Sequence, residues 1–276
     1  MSLILTTSHS ILTLDPATGT THRRRHGEGL YYGLARTPSG QLLTAARGRL
    51  VSAPTPPDQE TGAIFILTPD WRLETAWRPP FPLRDLHEIA WHHDALWATC
   101  SHDDLIAIRR PDGTWQRWWP LGQPPAASPP DCFHFNSLLF EDDQVWVLAH
   151  QRGPSRLLAF PIEAALAGHT VPPTREIELG VQAHNIRRLD GNLCTCSSAE
   201  GVLVSETGWR LEVGGFTRGI AQIPGGWAVG VSELAERRER DLTTGQVVFF
   251  DQAWRETGRI ALPGEGLVLD LLWSED

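Results

Sequence analysis

Three histidines in similar surroundings are the residues of this chain best suited to chemistry. His87 stands in Leu86-His87-Glu88-Ile89-Ala90, His134 in Phe133-His134-Phe135-Asn136-Ser137-Leu138, and His184 in Ala183-His184-Asn185-Ile186-Arg187. Neutral imidazoles brought together from separate rigid strands bind zinc, iron, nickel or copper. With an open coordination position, such a divalent transition metal activates water or dioxygen. Arg218, in Phe216-Thr217-Arg218-Gly219-Ile220, adds a guanidinium that grips carboxylate, phosphate or sulfate in two-pronged fashion. A histidine-rich set argues against calcium, which prefers oxygen donors.

A repeat has to position these groups. Short apolar stretches open at 30–35, 86–91, 134–139, 183–187, 217–221 and 268–272, each followed by a polar turn and a second apolar strand. Turns such as Pro38-Ser39-Gly40, Asp190-Gly191-Asn192 and Pro224-Gly225-Gly226 close tight antiparallel connections. The last opening stops after one strand, while residues 2–7 and 10–14, with a third strand after the turn at 15–19, stand ready to complete it. The pattern predicts an all-β, six-bladed β-propeller, one domain over residues 1–276, whose last blade is closed by N-terminal strands pairing with the C-terminal strand. A β-sandwich is the alternative and accounts less well for the two ends.

In a propeller the first strand of each blade lines the central channel. Alignment through Leu34, Ile89, Leu138, Ile186 and Ile220 puts Tyr32, His87, Asn136, His184 and Arg218 at one level, with Leu269 as the sixth member. Strand alternation turns His134 to the same face as Asn136, two residues' rise away, and turns Glu88 away from His87. Glu28 and Glu265, in the matching Gly27-Glu28-Gly29 and Gly264-Glu265-Gly266, are expected at the rim as ligand, base or support for a ligand. The expected roles are metal ligands for His87, His134 and His184, catalysis for Arg218, Glu28 and Tyr32, and substrate binding for Asn136, Asn185 and Arg218. A metal-free polar pocket, a water-filled structural channel and a non-catalytic propeller that binds a small molecule or a protein remain open alternatives.

His26, His92, His93, His102, His150 and His169 read as turn or surface residues, except that His102 and His150, the latter beside Gln151-Arg152, follow second strands and can reach a channel mouth. Tryptophans such as Trp97, Trp118, Trp146, Trp209 and Trp227 are expected as wedges between blades. The stretches 52–62 and 123–131 are proline-rich insertions, 163–170 has helical propensity, and 233–241 reads as a solvated charged loop.

Composition narrows the function further. All 24 basic residues are arginine, so no Schiff-base lysine and no Walker phosphate loop is available. A net charge of −9 with scattered arginines gives no stripe for a nucleic-acid backbone, and no Gly-x-Ser-x-Gly elbow occurs. Four cysteines without a CxxC pair read as reduced thiols. The amino end lacks the basic and apolar regions of a signal peptide, and no window holds the roughly 18 apolar residues of a membrane span, so a cytoplasmic protein with a small-molecule ligand is expected.

Three motifs carry a family resemblance: Asp131-Cys132-Phe133-His134-Phe135-Asn136-Ser137-Leu138, Ala183-His184-Asn185-Ile186-Arg187, and Phe216-Thr217-Arg218-Gly219-Ile220-Ala221 with Val229-Gly230-Val231-Ser232. They are similar to motifs of the DUF4915-like group of bacterial propeller proteins, His134 standing one position from that group's histidine. The resemblance covers the second half of the chain best. It implies the propeller fold and importance for His184 and Arg218 without naming a reaction. Carotenoid-cleaving oxygenases, with iron on four channel histidines, and gluconolactonase-like hydrolases, with calcium on oxygen ligands that Glu28, Asn136 and Asn185 partly match, are related to this pattern in idea only.

Overall fold

The computed structural model describes residues 1–125, 129–150 and 153–275; Gln151-Arg152 and part of the 123–131 insertion lie outside the described residues. Among the described residues, twenty-four strands form six four-stranded antiparallel sheets. Five sheets use consecutive strands, spanning 31–77, 86–118, 137–181, 184–212 and 216–262. The sixth joins Val268–Ser274 to Ser2–Thr7, Ser10–Leu14 and Thr21–His26, so both ends of the described chain share a blade. This is the six-bladed propeller, closed as the sequence pattern predicts. Leu3 pairs with Trp273 and Leu5 with Leu271 across the closing seam.

Burial is graded outward from the axis. Second strands such as Leu42–Ala46 and Ala95–Cys100 are buried on both faces, whereas outermost strands such as Thr21–His26 and Arg210–Glu212 are mostly exposed and carry arginine, threonine and glutamate. Charge on those outer edges discourages pairing with another chain's strand. Trp97 and Trp118 are fully buried against Phe160 between blades two and three. Trp209 and Trp227 flank Trp254 in the cluster between blades four and five. The four cysteines form no disulfide. Among the described residues no helix is long and apolar enough to cross a membrane.

The channel wall departs from strict alternation. The first strands of blades one, two, four and five carry register shifts between Tyr31 and Leu34, Leu86 and Ile89, His184 and Arg187, and Arg218 and Ile220. A bulge sets two residues against one and aims consecutive side chains to the same side. Glu88 therefore follows His87 into the channel, where both line one small cavity, correcting the expectation that it turns away. In blades three, four and six the second residue of the opening pair ties its blade to a neighbour. Ser137 Oγ accepts from Ile186 N at 2.8 Å while donating to the Glu88 carboxylate. Asn185 Oδ1 accepts from Gly219 N at 2.7 Å, and Asp270 Oδ2 from Leu34 N at 2.9 Å. At Gly33 a Cβ would lie 2.5 Å from Ile89 N, so only glycine lets blades one and two approach there.

Two insertions close over one mouth of the channel. The 233–241 segment is mostly exposed, as expected, but its end is anchored: in the turn Arg237–Leu242, Asp241 is buried, accepts from Ser52 N at 2.6 Å through its carboxylate and takes a 2.7 Å hydrogen bond from the His9 imidazole on its carbonyl. In the 52–62 loop, buried Glu60 grips Arg47 through two hydrogen bonds of 2.8 and 2.7 Å. The expected short helix forms over Ile162–Ala167.

Beneath the mouth, Arg187 reaches Glu88 at 2.9 Å and stands 3.9 Å from Asp270. Burial pushes the Asp270 carboxyl up to about 7, with Arg187 opposing and Glu88 adding to the rise. An acid raised in this way holds more protons folded than unfolded, so its contribution is full at pH values below the ordinary carboxylate range and declines as pH rises toward about 7. Urea titrations should therefore show Asp270→Asn gaining stability relative to the native protein as pH goes from about 4 to 7. A difference constant across that range would contradict the buried ionisation.

Candidate metal centre

The histidines meet at the covered mouth. The rings of His87 and His134 lie 4.9 Å apart and those of His87 and His184 6.0 Å apart. One ligand atom from each of the three falls within 4.8 Å of the other two, a cluster able to hold a metal ion. Asp85 and Asp131 form a second such group with His134.

The hydrogen bonds around the cluster fix the tautomer of all three rings. His87 Nδ1 faces the Asp85 carbonyl at 2.8 Å and Ser101 Oγ at 3.0 Å. Ser101 spends its proton on the Phe135 carbonyl at 2.7 Å, so both neighbours accept and Nδ1 carries the hydrogen. His184 Nδ1 faces Ser198 Oγ at 2.9 Å, and that hydroxyl donates to the Thr217 carbonyl at 2.6 Å. His134 Nδ1 donates to Asp131 Oδ1 at 2.6 Å. Each ring is left with a bare Nε2 lone pair, and that of His184 is buried without a hydrogen-bond partner. Burial pulls His87 and His184 well below the ordinary imidazole pKa, keeping both neutral as metal binding requires.

Such a set suits a nitrogen-seeking transition ion. Tetrahedral Zn–N bonds near 2.0–2.1 Å place ligand nitrogens roughly 3.3 Å apart, so each imidazole has to move inward by less than ~1 Å. A fourth imidazole stands close by: the His150 ring is 4.3 Å from His134 and 5.8 Å from His184. His102 lines the same cavity, so both exceptional histidines reach the mouth.

His134 arrives by a different route from the one its spacing predicts. The strand begins at Ser137, and His134 lies before it with φ 47°, in a loop that turns at Asp131 with φ 63°. Buried Asp104 holds that loop by accepting backbone N–H groups of Cys132 at 2.7 Å, Phe133 at 2.7 Å and His134 at 3.2 Å. Turning of the loop, rather than the pleat of a strand, brings His134 to the level of His87.

The other expected site residues separate by depth. Tyr32 and Arg218 line the main cavity, of about 950 Å3, together with the three histidines, Arg47, Arg49, Arg237 and Arg240. Arg218 donates to the Tyr32 hydroxyl and lies over the Phe216 ring at 4.8 Å. Its Nε is buried without a hydrogen-bond partner, and among the described residues no carboxylate pairs with it. Arg47, by contrast, is paired with Glu60 and Asp85. Asn136 sits deeper, below His87 and His184, donating to the Ala183 carbonyl at 2.8 Å with its Oδ1 unpartnered. Asn185 spends its Oδ1 on Gly219 between blades.

Glu28 is not brought to the cluster. It is 38% exposed and pairs with Arg25 and the Tyr31 hydroxyl, because the turn at Gly29 directs it to the outer strand of blade six. Glu265 likewise faces Arg23 and Thr7. Ser101 and Ser198, which orient two of the rings, escaped the sequence reading although each lies 14 positions after the histidine it supports.

No protein-family profile and no curated protein matches the chain. Solved structures match it in fold. A chain of a nidogen/laminin complex aligns with a TM-score of 0.67 at 13% identity, covering 98% of this chain and 97% of that one. The propeller domain of Cps50 (Swd1) from Myceliophteria thermophila aligns at 0.54 and 11%, covering 98% and 86%. A catalytically inactive histidine-to-alanine variant of virginiamycin B lyase from Staphylococcus aureus, with quinupristin, aligns at 0.50 and 12%, covering 84% and 69%. At these identities the likeness is one of fold.

Asp104 supplies the first test of the site. Asp104→Ala should cost about 2–4 kcal/mol in urea unfolding, since three backbone donors lose a charged acceptor. Amide exchange at Cys132, Phe133 and His134 should accelerate in the same variant. Unchanged exchange there would mean the loop is held by something else.

Proposed function

We propose that this protein is a metal-dependent enzyme, a hydrolase or oxygenase, acting on a small anionic molecule bound at the covered mouth of the channel. The observation that carries this reading is the set of three imidazoles, each with its Nδ1 hydrogen committed to an acceptor, that bring one ligand atom apiece within 4.8 Å of the other two. Clustered imidazoles whose second nitrogen has only a lone pair to offer suit a cation.

His87, His134 and His184 would hold the ion, with Asp131, Ser101 and Ser198 keeping the rings in the required tautomer. A divalent ion bound there supplies Lewis acidity or an activated water or dioxygen. Arg218 holds the anionic group of the substrate, being buried and lacking a carboxylate partner among the described residues. Burial raises the Tyr32 pKa, so its hydroxyl stays protonated and able to donate to a substrate oxygen. The 52–62 and 233–242 segments line the cavity and limit the entry of water. Asn136, with its free Oδ1, accepts from a hydroxyl or amide placed deeper in the channel.

The resemblance to the DUF4915-like group is part of the same proposal, since two of its motifs contain His184 and Arg218. The virginiamycin B lyase variant offers a precedent in a similar fold for catalysis lost with one histidine.

The test is metal analysis of protein purified without chelator, followed by equilibrium dialysis against zinc, iron, nickel and copper. About one equivalent should bind; His184→Ala should abolish uptake, and Ser198→Ala should weaken it about 10–100-fold through loss of ring orientation. Less than roughly a tenth of an equivalent, with no uptake on dialysis, would instead support the metal-free binding propeller.

A further inference from the structure

A second compartment opens beside the main cavity. It measures about 220 Å3 and is lined on its apolar side by Phe216, Leu234, Ala235 and Leu267. Arg218 and Arg240 line both spaces, and so mark the neck between them. Arg240 is held there by a hydrogen bond from its Nε to the Ala235 carbonyl at 3.3 Å. Phe216 stands between the compartment and the metal cluster, its ring 5.7 Å from that of His184.

Two features of the neck call for a ligand. Arg218 is buried with an unpartnered Nε, and a buried guanidinium without a counter-charge costs folding free energy that a bound anion returns. The space behind it offers apolar walls and, in Glu233, a negative group that repels a second anionic charge on the part of the ligand entering there.

We propose that the ligand of this site is a monocarboxylate with an apolar tail, its carboxylate on Arg218 and Arg240 and its tail in the side compartment. If each methylene takes about the ≈30 Å3 share of a water molecule, the compartment holds roughly seven carbons. This seating leaves the head of the molecule next to Tyr32 and open toward the imidazoles, 4.4 Å beyond that ring at His87. The inference deepens the anion-binding half of the proposed function and rests on that reading; it does not depend on the metal.

Calorimetric titration of the intact protein with acetate, butanoate, hexanoate, octanoate and dodecanoate tests it, with 1-octanol and inorganic phosphate as controls. Affinity should rise about fourfold per methylene, the equivalent of ≈0.8 kcal/mol, and level off near octanoate. Arg218→Gln should weaken octanoate about 10–100-fold. Ala235→Trp, on the covering loop, should erase the chain-length dependence, so that octanoate binds that variant no more tightly than acetate does, and circular dichroism should show both variants folded. Octanol binding as tightly as octanoate, phosphate binding more tightly than octanoate, or no dependence on chain length would each overturn the proposal. Chain-length dependence in protein that takes up no metal would sustain this inference while the metal reading fails. Metal uptake without that dependence would do the reverse.

Discussion

The structure depends on hydrogen bonds that cross from blade to blade at the axis. Ser137, Asn185 and Asp270 each use a side-chain oxygen to accept a hydrogen bond from a backbone N–H of another blade, and the Ser137 hydroxyl in turn donates to Glu88. Such donors, buried at the narrow centre of a ring, would otherwise go unpaired at a cost of about 1–3 kcal/mol each. Where a bulge turns the second residue of the opening pair inward, as at Glu88 and Asn185, that residue takes part in this stitching and the first is free to stand at the mouth. Tyr32, His87, His184 and Arg218 are the first residues of the bulged pairs. Chemistry and cohesion are thus divided between adjacent positions on the same strand.

The mouth combines two opposite deficits. On one side are imidazoles whose remaining nitrogens can only accept; on the other is a guanidinium whose Nε–H lacks an acceptor. A cation relieves the first and an anion the second, and the two bound charges would then attract across the few ångströms between Tyr32 and His87. Neither deficit is made good by the nearby carboxylates. Asp85 and Glu60 are drawn to Arg47, and Asp131 orients His134. Burial alone would raise the Asp85 pKa, but Arg47 outweighs it and holds the carboxyl below its ordinary range.

Much of this was legible in the residues. Six openings of like pattern gave the blades, and the matching Gly27-Glu28-Gly29 and Gly264-Glu265-Gly266 gave the closing seam. The same register put His87, His184 and Arg218 together, and the structure places all three around the main cavity. What strict two-residue periodicity could not reveal were the bulges, which bring Glu88 inward, and the left-handed backbone at His134, which a loop rather than a strand adopts. Glu28 misled because a rim position in the alignment says nothing about which side its turn faces, and Arg25 captures it. The charged 233–241 segment is mostly exposed, as expected, and departs from that reading only at its end, where buried Asp241, one acid among several, finds its partners in Ser52 and His9, far away in sequence.

The closing blade has a consequence for the order of assembly. Thr7 meets Glu265 and Ser8 meets Leu267, contacts that span 258 and 259 positions. During synthesis the first three strands of that sheet emerge with their axial edge uncovered and wait until the other five blades have been made. Contacts of such long range form late, and an uncovered strand is a risk while it persists. Asp270, which joins blade six to blade one, arrives in the same final stretch. A nascent or truncated chain therefore holds the histidines of blades two to four without the closed ring that sets their spacing, so the geometry of the cluster comes with the last strand rather than with the last histidine.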